Sequence, residues 1–152
     1  MKTIAAILLL LSLAGCAAVQ AKFAELNARS TPGSYVAPEV ARADADEAAM
    51  DMAQFLAAQL PAAKTTLDLQ ASTNKLHPKL LDQLRIRGFG IVQSKEQFEH
   101  QGAIMIRYVV TPLDNGVLVQ LRYGRHIATR YLSRANDGRL SLSNRYAVRN
   151  PK

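Results

Sequence analysis

Polar and apolar positions change period several times along this chain. Residues 4–14 form an apolar run broken only by Ser12. That is shorter than the roughly 20 residues a membrane-spanning helix needs. Further on, Ala45, Ala48, Ala49, Met52, Phe55, Leu56 and Gln59 fall at helical spacing, an apolar stripe with one polar interruption. Asp44 followed by Glu47 gives capping-box spacing at its start, with Asp in place of Ser or Thr, and Pro61 ends it. Residues 65–70 alternate, which predicts a strand with Leu67 and Leu69 inward. Leu76, Leu80, Leu81 and Leu84 line one face of a second helix. Pro78 suits its first position, and Gly88 stands where a left-handed C-terminal cap belongs. Residues 89–92 predict a short strand.

The rest reads as an antiparallel meander. Ile104, Ile106, Tyr108 and Val110 alternate on one face, and Val117, Val119, Leu121 and Tyr123 alternate after the Asp114-Asn115-Gly116 turn. Gly124 precedes a strand around residues 127–132. Asn136-Asp137-Gly138 makes the next turn, and Leu140, Leu142, Tyr146 and Val148 complete the pattern. Two helices must cover one face of such a sheet, because nothing else in the chain can bury it. The predicted class is α+β: a small antiparallel sheet with two helices packed on one face. The folded part is expected to span residues 44–152.

Residues 16–43 lack this periodicity. They are rich in alanine and contain Ser30-Thr31-Pro32-Gly33-Ser34, a cluster of turn formers, with Pro38 beyond it. This predicts a flexible tether spanning roughly 30 Å as a coil. Phe23, Leu26, Tyr35 and Val36 are its conspicuous apolar residues.

The first residues explain what the tether holds. Lys2 supplies a positive start, the apolar run follows, and Leu13-Ala14-Gly15-Cys16 ends it. These are features of a secretory signal, here residues 1–15. The Leu-Ala-Gly-Cys ending resembles the lipobox of bacterial lipoproteins. The resemblance implies cleavage before Cys16 and fatty acylation, such as palmitate, on that residue. An ordinary signal with an incidental cysteine is the competing reading. Cys16 is the only cysteine, which excludes an intrachain disulfide. Ala17 differs from the aspartate that resembles an inner-membrane retention signal. By that resemblance the protein is anchored in the outer membrane and faces the periplasm, and several acyl chains hold it more firmly than one.

Charge is uneven. Residues 17–74 carry four Lys or Arg against seven Asp or Glu, whereas residues 75–152 carry fourteen against five. Arg107, Arg122, Arg145 and Arg149 share the parity opposite the inward residues, so they are expected on the outer face of the sheet, with Arg130 a weaker member. Arginine forks bind carboxylates and phosphates at two points. Tyr108, Tyr123 and Tyr146 fall on the inward face, which argues against a base-stacking surface and against direct nucleic-acid binding. The expected use is protein docking, and the bland alternative is a solvated face. No nucleophile elbow, phosphate loop or His-Glu-x-x-His motif is present. His77, His100 and His126 lie in three different elements. No catalytic residue, metal or cofactor is expected, apart from the covalent lipid.

The order of motifs resembles one family. Residues 52–67 (MAQFLAAQLPAAKTTL), residues 80–89 (LLDQLRIRGF) and Ile106-Arg107-Tyr108-Val109 with its following Asp-Asn-Gly turn are similar to the conjugal transfer protein TrbH. The resemblance covers roughly residues 44–149 and the signal. It implies a non-enzymatic structural or assembly component of a conjugative type IV secretion (mating pair formation) apparatus. Its expected partners are the membrane, through the lipid, and other secretion-channel proteins, with peptidoglycan open as a further contact. A periplasmic regulatory or binding lipoprotein, such as an activator of a cell-wall enzyme, is the alternative.

Overall fold

The structure, a computed structural model, describes residues 33–94 and 101–150. The expected signal, Cys16, His100 and the tether as far as Pro32 lie outside the described residues.

The chain enters the fold earlier than the period change suggests. Strand β1 (Tyr35–Val36) is already paired with a central strand, and the Ala37 N–H donates to the Val110 carbonyl at 2.9 Å. The Lys75 ammonium donates to the Pro38 carbonyl at 2.9 Å and also to that of Val40. Residues 33–43, expected in the tether, are thus tied down by backbone groups at both ends of the segment.

Helix α1 (Arg42–Gln59) begins two residues before Asp44, and its N-cap, Ala41, supplies no side-chain bond. The expected capping box does not form. Asp44 instead takes both ends of the Arg134 guanidinium, at 2.6 and 3.1 Å. Glu47 accepts from the Leu140 N–H at 2.9 Å. Ion pairing across 90 residues has displaced the local cap, and Asp44, in the first turn, still complements the helix dipole. Ala45, Ala48, Ala49, Met52, Ala53 and Leu56 are buried; the alanines let the helix approach closely. Leu60 closes it onto the Leu56 carbonyl, and Pro61 leads into a short turn of 3-10 helix (Ala62–Lys64).

Strand β2 (Thr66–Gln70) buries Leu67 and Leu69 as expected. Helix α2 (His77–Ile86) follows, burying Leu76, Leu80 and Leu84 at its start and along its inner face. Asn74 accepts the N–H groups of Leu76 and His77 at 3.2 and 3.0 Å, satisfying donors a helix start leaves open. Gly88 has φ of 86°, and the Phe89 N–H returns to the Leu84 carbonyl, the predicted left-handed cap.

Then come β3 (Gly90–Ser94), β4 (Ala103–Pro112), β5 (Gly116–Tyr123), β6 (His126–Arg134), β7 (Leu140–Ser141) and β8 (Ala147–Arg149). The strand order is β3-β2-β4-β5-β6-β7, with β1 on β4 and β8 on β6. The sheet is mixed, not purely antiparallel: β2 runs parallel to β3 and β4, and β1 is parallel to β4. A helical crossover such as β2–α2–β3 returns the chain in the same direction, which makes parallel pairing natural. The meander β4-β5-β6 is antiparallel as predicted. The sheet does not close, and the core lies between its inner face and the two helices.

Two local expectations change. The β4–β5 turn is made by Asp114 and Asn115, with Asp114 at φ 47°. Gly116 serves close approach: a Cβ there would sit 2.2 Å from the Leu132 carbonyl oxygen. The last predicted strand is split, so residues 142–146 cross between β7 and β8 outside the ladder. Leu140 is buried, but Leu142 and Val148, expected inward, are 49% and 47% exposed.

Candidate functional site

The ladder registers bring three of the four predicted arginines into one row. Arg107 is opposite Arg122, Arg122 opposite Ile127, and Ile127 opposite Arg149. All lie on the face away from the helices, because Ile106, Tyr108, Leu121 and Ala128 beside them are core residues. Adjacent strands stand about 4.8 Å apart, so Arg122 and Arg149 are roughly 10 Å apart at the backbone. Arg125, in the turn between β5 and β6, adds an exposed charge at the same end.

Arg107 is corrected as a contact residue. It is 5% exposed, on a strand flanked by β2 and β5. Its guanidinium donates to the carbonyls of Ile106 at 2.7 Å and Asp68 at 3.3 Å. Burial lowers its pKa, and the nearby Asp68 charge opposes that shift. Asp68 is itself buried and accepts from the Ser94 hydroxyl at 2.6 Å. Parity placed Arg107 on the correct face, but its guanidinium is buried and turned to these carbonyls, with Nε left without a hydrogen-bond partner among the described residues, so it does not reach the surface.

Arg122 and Arg149 are exposed and take part in no ion pair among the described residues. Arg145 is also exposed and has no ion pair among the described residues, but it precedes β8 and lines a groove beside α1, apart from the row. Arg130 faces the helices, not the outer side. Val119 pairs with Arg130, so Arg130 shares the inward parity, and its guanidinium bonds Asp51 of α1 and the Leu142 carbonyl.

Asp51 was not singled out from sequence. It is 4% exposed, accepts from the Tyr146 hydroxyl at 2.8 Å and pairs with Arg130. Desolvation raises its pKa, against the bonds from Tyr146 and Arg130. Burial and the neighbouring carboxylate raise that of Tyr146. The Phe55 and Tyr146 rings lie 4.2 Å apart, and Arg130 stacks over Tyr146. The available signal was spacing: Asp51 lies three residues after Ala48 and four before Phe55, a carboxylate within the apolar stripe.

A second polar group is enclosed under α2. The Tyr108 hydroxyl contacts Asn74 Oδ1 at 3.1 Å and His77 Nδ1 at 3.3 Å, and His77 Nε2 meets Gln93 at 2.9 Å. Burial raises the Tyr108 pKa to about 12 and lowers that of His77. His126 bonds Asn150 and stacks on Tyr123. These histidines hold structure together. Among the described residues no cluster of His, Cys, Asp or Glu could hold a metal, and no helix is long and apolar enough to cross a membrane.

What emerges is an open α+β sheet with helices on one face and a cationic end on the other. The family model described as conjugal transfer protein TrbH matches residues 27–150, most of the 152-residue chain. The chain belongs to the TrbH family of conjugal transfer proteins. No curated protein and no solved structure matches it.

Proposed function

We propose that this protein is a lipid-anchored, outer-membrane component of the conjugative secretion apparatus, acting by assembly and not by catalysis. The observation that carries this reading is the pair Arg122 and Arg149, exposed on one sheet face without acidic partners among the described residues. The family supports a role in conjugal transfer. The Leu-Ala-Gly-Cys ending supports lipid at Cys16. Helices occupy the inner face, so the cationic end of the outer face is left to meet an acidic surface of a channel protein. One exposed ion pair contributes only about 0–1 kcal/mol, but several converging charges act together and speed encounter at low salt.

The test combines two variants in a deletion strain. Cys16→Ala should abolish incorporation of a clickable fatty acid and release the protein from membranes. Arg122→Glu with Arg149→Glu should leave lipidation and folding intact, yet reduce both DNA transfer and co-purification with channel proteins. Equal label on Cys16→Ala and wild type would remove the anchor from the proposal. Full transfer and co-purification by the double variant would reduce the arginine face to solvated surface.

A further inference from the structure

A groove runs along α1 on the opposite side of the molecule from the arginine row. One wall is the second half of α1, and the other is the strap of residues 142–146 with Val148. Its volume is about 520 Å³, within the roughly 300–1,000 Å³ typical of ligand sites. Its floor is built and held. Asp51 joins Arg130 and Tyr146, Arg130 also holds the Leu142 carbonyl, and Phe55 packs on Tyr146. Asn144 donates to the Tyr131 carbonyl at 3.1 Å, which pins the strap to β6 where the ladder is interrupted. A surface fixed in this way loses little freedom on binding.

We propose that this groove binds a short extended segment of a partner protein that is both acidic and apolar. Three observations define that chemistry. First, Leu142 and Val148 stand exposed on the wall although their neighbours Leu140 and Tyr146 are packed inward. Apolar side chains held open beside a packed floor suit an apolar guest. Second, the Arg130 charge is matched by Asp51, whereas Arg145 has no acid partner among the described residues. The uncompensated charge on the groove is therefore positive, and a carboxylate complements it. Third, the length suits a short peptide. From Asp51 to Gln59 a helix rises about 12 Å, which matches about four residues of extended chain.

A second copy of this chain fits less well. Its net charge is +7, so two copies repel each other overall at low salt. Twelve of the described residues line the groove, whereas a stable protein interface uses roughly 20–30 a side.

The experiment uses the full-length protein in detergent and two fluorescent pentapeptides, Leu-Glu-Leu-Glu-Leu and Leu-Lys-Leu-Lys-Leu, read by anisotropy. The glutamate peptide should bind and the lysine peptide should not. Arg145→Glu and Leu142→Ser, both at exposed positions, should each weaken binding by about two- to fivefold, the size expected for loss of one exposed charge or apolar contact. Arg122→Glu, on the other face, should leave it unchanged. Absence of binding, equal binding of both peptides, or equal weakening by Arg122→Glu would overturn the proposal. Concentration-dependent dimers that the peptide does not dissociate would assign the groove to a second copy instead. Because Arg122→Glu tests the outer face separately, either surface can fail without the other.

Discussion

Arg107 and Arg122 stand directly opposite each other across the β4–β5 ladder, one buried and the other exposed. Like charges at such a position oppose pairing of the strands. Arg107 is held by carbonyls and by the Asp68 charge, but among the described residues Arg122 has no acid to offset the repulsion. A sequence selected for stability alone would place a neutral residue there.

The first prediction follows. Arg122→Thr should raise stability by about 0.2–1 kcal/mol, the usual size of a cross-strand pair effect. The gain should shrink in high salt, which screens the exposed partner. Urea melts at low and high salt measure it. If the same variant also lowers DNA transfer, Arg122 is retained for docking at a cost in stability. A loss of stability would mean that the guanidinium makes a favourable contact, and the repulsion argument would fail.

The second concerns Leu84. It is fully buried between α2 and the sheet, on the face shared with Leu80. Leu84→Ala should cost about 2–5 kcal/mol, the range for a large core residue whose site cannot collapse. A shift below about 0.5 kcal/mol in denaturant melts would be surface behaviour and would contradict that packing.

The third concerns pH. Burial holds the His77 pKa below 6.5, and the groups facing the imidazole, Gln93 and Tyr108, carry no charge at neutral pH. In the unfolded chain the ring takes a proton near its ordinary value; in the fold it resists. The unfolded state therefore binds more protons as pH falls below 6.5, and stability must fall with it. The contribution is complete above 6.5 and is lost as pH drops through the folded pKa. Between about pH 7 and pH 5, His77→Gln should show a smaller decrease in urea midpoint than wild type. Parallel curves for the two would show that His77 does not drive the decrease.

The sequence made some of this fold legible and hid the rest for physical reasons. Leu67 with Leu69, and Leu80 with Leu84, were readable because burial of one face imposes a period on the chain. Gly88 was readable because a left-handed cap favours glycine. The direction of β2 was not, since parallel pairing with β3 and β4 joins residues far apart in sequence and leaves no local mark. For Arg107, parity gave the face but not the depth. Burial depends on neighbouring strands, which parity does not identify. Asp44 was misread because the distant Arg134 outcompetes the local cap. Arg130, expected as a weaker member of the outer face, turns inward to Asp51, a partner 79 residues away on a helix that strand parity does not register.

The last prediction addresses that site. Asp51 and Arg130 are 4% and 11% exposed and share one ion pair, so neither charge has enough water to stand alone. Removing one partner leaves a buried charge uncompensated, which costs about 3–5 kcal/mol. Asp51→Ala and Arg130→Met should therefore each be strongly destabilising. Removing both eliminates the charges together, and an apolar replacement of similar volume is often neutral or better. The Asp51→Ala, Arg130→Met double variant should be far more stable than the sum of the single losses predicts. Tyr146→Phe supplies the scale for the accompanying hydrogen bond: it should cost about 1 kcal/mol, because it removes a hydroxyl donor and leaves the ion pair in place. Urea melts of all four variants, with unchanged slopes, complete the cycle. Losses that simply add would show that Asp51 and Arg130 act independently. The floor of the groove would then owe its order to the packing of Phe55 on Tyr146, not to the charge pair.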